Sequence, residues 1–151
     1  MRVITGKARG VALKTPLGQD TRPTADRVKE AMFSIIQFDI PNAIVLDLFG
    51  GTGQLGIEAL SRGAREAVFV DQSENACKLI KENLNRTKFT QQGSVIRSSY
   101  TDFLRKNRQK FHIIFLDPPY SGDFLENSIK IITEIDILQS GGIIVSERPI
   151  E

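Results

Sequence analysis

The sequence holds a single cysteine, Cys77, and a single histidine, His112, and both scarcities narrow the chemistry open to it. One thiol cannot close an internal disulfide, and no cysteine-based metal site can be assembled around it. With one imidazole, a zinc site or a Ser-His-Asp triad would need carboxylates in every other role, which argues against both. No apolar run approaches the roughly 20 residues of a membrane-crossing helix. The start, Met1-Arg2-Val3-Ile4-Thr5-Gly6-Lys7, lacks an extended apolar segment of the secretory kind. A soluble, cytoplasmic protein with no metal and no membrane partner is expected. No Pro/Gly/Ser-rich linker breaks the 151 residues, 40% of them hydrophobic, so one structural domain with a sizeable core is expected.

The net charge is only +2, yet it is unevenly spread. Residues 1–30 carry seven bases (Arg2, Lys7, Arg9, Lys14, Arg22, Arg27, Lys29) against three acids (Asp20, Asp26, Glu30), which is +4 and leaves −2 for the rest. A basic arm on a slightly acidic body points to an anionic polymer met through the N-terminus. The competing reading is a solvated basic segment without a partner.

Short apolar runs alternate with helical stretches. Strands are expected at Ile44–Leu48, Ala67–Val70, Ser94–Arg97, Ile113–Leu116 and Ile143–Ser146, with helices at Gln54–Ser61, Glu74–Asn85, Thr101–Asn107 and Asp123–Leu138. Nearly continuous apolar strands separated by helices predict an α/β, doubly wound, mostly parallel sheet of order 3-2-1-4-5. Upstream, residues 24–36 read as an amphipathic helix entered through Arg22-Pro23, with Thr24 as its N-cap. Arg2-Val3-Ile4 and Val11-Ala12-Leu13 flank Gly6–Gly10 as a small hairpin with a basic tip. Residues 1–40 thus form a basic extension and helix, and 41–151 the core.

Strand one runs into Asp47-Leu48-Phe49-Gly50-Gly51-Thr52-Gly53-Gln54-Leu55-Gly56, where Gly51, Gly53 and Gly56 meet the G-x-G-x-x-G spacing that lets a backbone turn tightly beside a ligand. That spacing alone is a weak signal. Asp71 closes strand two, where a carboxylate can accept both hydroxyls of a ribose, and the pair of features favours a nucleoside-containing cofactor. Asp47 discriminates among such cofactors. A carboxylate there repels a pyrophosphate and attracts the α-ammonium of a methionine moiety, directly or through water, so S-adenosyl-L-methionine is favoured over NAD. Asp47 could instead simply cap the following turn.

Strand four ends in Asp117-Pro118-Pro119-Tyr120. The prolines stop the ladder and fix neighbouring carbonyls. In the order 3-2-1-4-5 this turn and Asp47 fall on adjacent strand ends at the topological switch point, facing one cleft. An amine on a heteroaromatic base is a poor nucleophile, because its lone pair is delocalised into the ring. Asp117 and the Pro118 carbonyl can accept its two hydrogens and aim the lone pair, with Tyr120 stacked on a base rotated out of its surroundings. A rigid turn with no chemistry is the alternative.

With those residues assembled, the chain resembles the bacterial 16S rRNA (guanine-N2)-methyltransferase family of the RsmD type along nearly its whole length. Arg2–Gly6, Arg9-Gly10 and Arg22–Glu30 are similar to that family's N-terminal signature, while the glycine loop, Asp71 and Asp117–Tyr120 are motifs shared with adenine and cytosine amino-methyltransferases. The resemblance implies that Asp47, Phe49, Gly50, Gly51, Thr52, Gly53, Asp71 and Gln72 bind S-adenosyl-L-methionine. It implies catalysis at Asp117, Pro118, Pro119 and Tyr120, with 16S rRNA or the small ribosomal subunit as substrate and no oligomer required. The sequence departs from the family at Ser99, where relatives carry an acid or amide for the cofactor adenine, a role left to the Ser99 hydroxyl or to Asp102. Relatives also continue into an antiparallel hairpin, whereas this sequence ends at Glu151; either it is a truncated protein or one sheet edge is covered some other way, since an open strand edge invites association.

Cys77 shares a helical face with Ile80 and Leu84 and reads as a core thiol. The basic run Arg105–Lys110 reads as a solvated helix end. Arg9, Arg22 and Arg27 are the preferred RNA contacts, since phosphates need accessible cations. The rival functions are an NAD-linked oxidoreductase and a non-catalytic RNA-binding module.

Overall fold

The computed structural model describes residues 1–16, 23–118 and 123–146. Its elements follow in the order α1 (Pro23–Ile35), β1 (Ile44–Asp47), α2 (Gln54–Ser61), β2 (Glu66–Asp71), α3 (Glu74–Thr87), β3 (Gly93–Arg97), α4 (Tyr100–Lys106), β4 (Phe111–Leu116), α5 (Phe124–Ile135) and β5 (Leu138–Ser146). The five strands form one sheet of order β3-β2-β1-β4-β5, every pairing parallel. This is the doubly wound, Rossmann-like arrangement expected from the alternation of apolar runs and helices.

Alternation along the strands builds two cores. Val45, Ala67, Phe69, Ile113 and Phe115 meet Phe33 of α1, Ile57 and Leu60 of α2, and Ile80 and Leu84 of α3 on one face. Leu46, Val68, Val70, Ile114 and Leu116 meet Phe103 and Leu104 of α4 and Ile132 of α5 on the other. Each fully buried large side chain contributes about 1.5–3 kcal/mol by leaving water. The helices change faces between the β2-β3 half and the β4-β5 half, which opens a crevice at the carboxyl ends of β1 and β4.

The N-terminal segment packs into the first of these cores through Val3, Ala8 and Leu13. Arg2 and Ala12 form an antiparallel bridge, and Val3 N–H donates to the Val11 carbonyl at 3.0 Å, so the small hairpin is present as a single bridge. Its anchor is Glu58 on α2, fully buried, which accepts the N–H groups of Ile4 (2.8 Å) and Thr5 (3.1 Å) and pairs with Lys29 (3.2 Å) and Arg62 (2.8 Å). Burial raises the Glu58 pKa, but the Ile4 amide, the Lys29 charge and the other donors outweigh it and hold the carboxyl below its ordinary value. Lys29 is lowered, chiefly by burial. One of the seven bases of the arm is therefore consumed inside the fold.

Three expectations need correction. Thr24 lies inside α1, which already begins at Pro23, rather than capping it; proline suits the first helical position because its missing N–H has no helical partner there. Helix α5 stops at Ile135, with Asp136 in a left-handed C-cap at φ 54°, instead of running to Leu138. Leu138 is already strand: it pairs with Phe111, Ile143 pairs with Ile113, and the intervening residues bulge around Gly141 at φ 77°.

Candidate active site

Register places the site. Asp47 pairs with Phe115, so Asp117 emerges just beyond the neighbouring strand. Above these ends lies a cleft of about 800 Å³ lined by Leu48, Phe49, Gly51, Asp71, Gln72, Ser73, Arg97, Ser98, Tyr100, Asp117, Pro118 and Phe124. That volume is within the range of small-molecule and cofactor sites.

The loop from Phe49 to Gly53 forms its floor. Gly51 and Gly53 adopt left-handed φ values of 59° and 83°, which a β-carbon would strain. Gly50 N–H donates to the Val70 carbonyl at 2.8 Å, and Gly53 N–H to the Gly50 carbonyl at 2.7 Å. Gly56, on α2, faces Phe69 so closely that a β-carbon would run into its ring; the third glycine serves helix-on-strand packing. Thr52 contributes backbone rather than cleft lining: its carbonyl accepts from Asn83 at 2.9 Å, and its hydroxyl meets the Met1 sulfur at 3.4 Å.

Asp71 reaches across the loop. Its two carboxylate oxygens accept Gly51 N–H (3.0 Å) and Ser73 N–H (2.9 Å); the residue lines the cleft, and a carboxylate has further lone pairs that a pair of hydroxyls can use. Gln72 lines the cleft beside it, and its carbonyl accepts from Arg97 at 3.3 Å.

Asp47 sits deeper than expected. Only Asp117 and Asp71 line the cleft; Asp47 is 1% exposed, below the floor. One of its oxygens accepts Gly56 N–H at 3.1 Å and so caps the first turn of α2, as the simpler reading of this residue would have it. The other oxygen, Oδ1, is buried without a hydrogen-bond partner. Burial, reinforced by the nearby charges of Asp117 and Asp71, pushes the Asp47 pKa up to about 8 against the relief given by the Gly56 N–H. A buried acceptor in this state costs free energy until a donor or cation reaches it. Asp71 and Asp117 in the lining, with the Asp47 oxygen beneath them, make the crevice hospitable to a cation and hostile to a pyrophosphate. The residues therefore fit S-adenosyl-L-methionine, which carries a sulfonium, an ammonium and a ribose diol, better than a dinucleotide.

Ser99 caps α4: its hydroxyl accepts Asp102 N–H at 3.2 Å, and the neighbouring Ser98 lines the cleft instead. Asp102 is exposed in the first turn of α4. Pro119, Tyr120 and Arg22 lie outside the described residues. Arg9 and Arg27 are exposed, as an RNA contact requires.

The sequence pointed to Phe49 but not to Tyr100 and Phe124, which complete an aromatic wall with it. Phe49, Tyr100 and Phe124 line the cleft and touch one another, with ring centroids 5.4–6.1 Å apart. They come from three separate stretches, Phe49 from the loop after β1 and Tyr100 and Phe124 from the first positions of α4 and α5; the only sequence signal was an aromatic near each of these junctions. His112 has a structural place, as expected, with its Nδ1 accepting Ile44 N–H at 2.9 Å, so that nitrogen is the unprotonated one. Cys77 is buried beside Ile80 and Leu84, its thiol pKa raised by burial. Among the described residues no group of His, Cys, Asp and Glu is arranged to hold a metal, and no helix is long and apolar enough to cross a membrane.

Comparison with known proteins decides the lineage. All of residues 1–151 match the family described as conserved hypothetical protein 95. Ribosomal RNA small subunit methyltransferase D of Haemophilus influenzae is 36% identical over 150 residues, covering 97% of this chain and 78% of that protein. The chain belongs to this family of RsmD-type rRNA methyltransferases. The Escherichia coli K12 protein of the same name is 33% identical over 100% of this chain and 76% of its own length. An Escherichia coli structure described as a candidate methyltransferase superposes with a TM-score of 0.86 at 31% identity, covering 97% of this chain and 78% of that one. Membership removes the NAD-linked oxidoreductase from consideration.

Proposed function

We propose that this rRNA methyltransferase transfers a methyl group to the exocyclic N2 amine of a guanine in 16S rRNA. Its methyl donor is S-adenosyl-L-methionine, which supplies an electrophilic sulfonium methyl when bound. The observation that carries the reading is the placement of Asp47 and Asp117 at the ends of two directly paired parallel strands, Asp117 lining the cleft and Asp47 buried with an unpartnered oxygen.

The chain's own groups divide the work. Asp71 and the glycine loop receive the nucleoside end, Asp71 accepting from the ribose hydroxyls. Asp47 offers its unpartnered oxygen, and its charge, to the donor's ammonium, directly or through water. Asp117 and the Pro118 carbonyl accept the two amine hydrogens of the base, which localises the nitrogen lone pair. The aromatic wall of Phe49, Tyr100 and Phe124 excludes water from one side of the cleft. Tyr120 and Pro119 complete the motif, Tyr120 by stacking on the extruded base. Rate enhancement on this account comes from positioning and electrostatics, with no covalent intermediate and no obligatory general base, because the amine proton becomes acidic once the nitrogen is methylated.

Two observations support the finer substrate assignment. The relatives at 33–36% identity are named for small-subunit rRNA, and the basic N-terminal segment that sets this family apart is docked against α2, with Arg9 and Arg27 exposed. The test is nucleoside analysis after labelled methyl transfer to small subunits from cells lacking the protein. N2-methylguanosine in 16S rRNA is expected; label on adenine, on cytosine or in DNA would overturn the guanine assignment.

A further inference from the structure

Asn83 lies on α3, outside every motif in sequence, yet it is fully buried and each hydrogen bond made by its side chain leaves its own helix. Its Oδ1 accepts Lys14 N–H at 2.7 Å, and its Nδ2 donates to the Lys14 carbonyl at 3.0 Å and to the Thr52 carbonyl at 2.9 Å. One amide therefore joins the far strand of the N-terminal hairpin to the glycine loop. The near strand reaches the same loop residue, through the Met1 sulfur and the Thr52 hydroxyl. Met1 and Leu13 are themselves tied by Leu13 N–H donating to the Met1 carbonyl at 2.8 Å. Thr52 is thus gripped from both strands of the hairpin, with Asn83 as the buried clasp.

We infer that Asn83 is a positioning residue that couples the two halves of the substrate site, so that RNA on the N-terminal hairpin and methyl donor on the glycine loop strengthen each other's binding. This rests on the proposed RNA contact at the hairpin. The physical basis is shared ordering. Whichever ligand first stiffens Lys14 or Thr52 also fixes the amide that holds the other, and the second ligand then meets a segment already in place. Such coupling is reciprocal and typically amounts to about 5- to 150-fold in affinity. Aspartate in place of Asn83 would keep the acceptor for Lys14 N–H but lose both donated bonds and set a carboxylate against two carbonyls. Alanine would remove all three bonds.

The experiment is titration of S-adenosylhomocysteine, which binds without turnover, into wild type, Asn83→Ala and Asn83→Asp, each with and without saturating 16S rRNA transcript. In wild type the transcript should tighten binding by about fivefold or more. In both variants that factor should fall to near one while each ligand still binds. An equal factor in wild type and variants, with RNA bound throughout, would overturn the inference and leave the proposed function standing. Absence of methyl transfer by wild type to both the transcript and small ribosomal subunits would instead overturn the function, and small subunits replace the transcript in the titration if only they accept methyl. Should the variants not fold, hydrogen exchange on wild type decides: S-adenosylhomocysteine alone should slow exchange at the Lys14 amide, and unaltered exchange there would refute the coupling.

Discussion

Replacing Asp47 by asparagine should separate what this residue costs the fold from what it gives the site. In the ligand-free chain its pKa is pushed from 3.8 up to about 8, first by burial and then by Asp117 and Asp71. A folded-state pKa above the unfolded one means that the native chain holds a proton the unfolded chain has released between those values. Stability then falls as pH rises, by about 1.4 kcal/mol per pH unit. Across the whole interval the loss is about 5–6 kcal/mol, an upper bound because a relaxing site lets water in. Asparagine cannot ionise, so Asp47→Asn abolishes this slope, although its NH2 stays buried and costs about 1–3 kcal/mol if unpaired. Urea unfolding of both proteins at steps from about pH 5 to pH 9 should give curves that diverge by about 1.4 kcal/mol per unit up to pH 7 and run parallel above pH 8. Curves parallel throughout would refute the reasoning. Calorimetry should show the other side: at pH 7 the wild type releases a proton on binding S-adenosyl-L-methionine, because the ammonium favours the carboxylate, whereas Asp47→Asn binds weakly and releases none.

Other outcomes follow from the same structure. Glu58→Ala leaves Lys29 charged and buried without its partner, and should cost about 3–5 kcal/mol in chemical denaturation, part of it recovered by adding Lys29→Met. Gly56→Ala drives a methyl group into the Phe69 ring and should lose about 1–3 kcal/mol of stability, read as a lower melting temperature. Arg9→Ala and Arg27→Ala should each reduce the salt dependence of RNA binding by about one phosphate contact while donor affinity holds; an unchanged salt slope would remove these residues from the interface.

The sheet was legible because strands buried on both faces read as continuous apolar runs, and β1, β2 and β4 are such runs. Asp47, Asp71 and Asp117 stood out as acids interrupting those runs at their carboxyl ends. Depth was not legible. Nothing in Val-Leu-Asp-Leu-Phe tells that Asp47 lies under the loop while Asp117 lines the cleft, since that depends on where α2 begins and on Gly56 N–H reaching back. Glu58 looked like an ordinary polar position of Gln-Leu-Gly-Ile-Glu-Ala-Leu-Ser, because its four partners come from three separate stretches of chain. Phe49, Tyr100 and Phe124 meet only once three crossovers are folded. The start of β5 was hidden because residues 139–142 interrupt its apolar pattern, and these residues lie at the register shift of the β4-β5 pairing. Ser99 was assigned by position along the chain, and a shift of one residue at the start of α4 gave the cleft to Ser98.

The division of labour between the two strand ends is tested most directly at Asp117. Asp117→Ala should bind S-adenosyl-L-methionine with near wild-type affinity in calorimetry yet transfer no methyl group to small ribosomal subunits in a single-turnover assay. Undiminished transfer by that variant, or loss of donor binding in step with loss of transfer, would contradict the account.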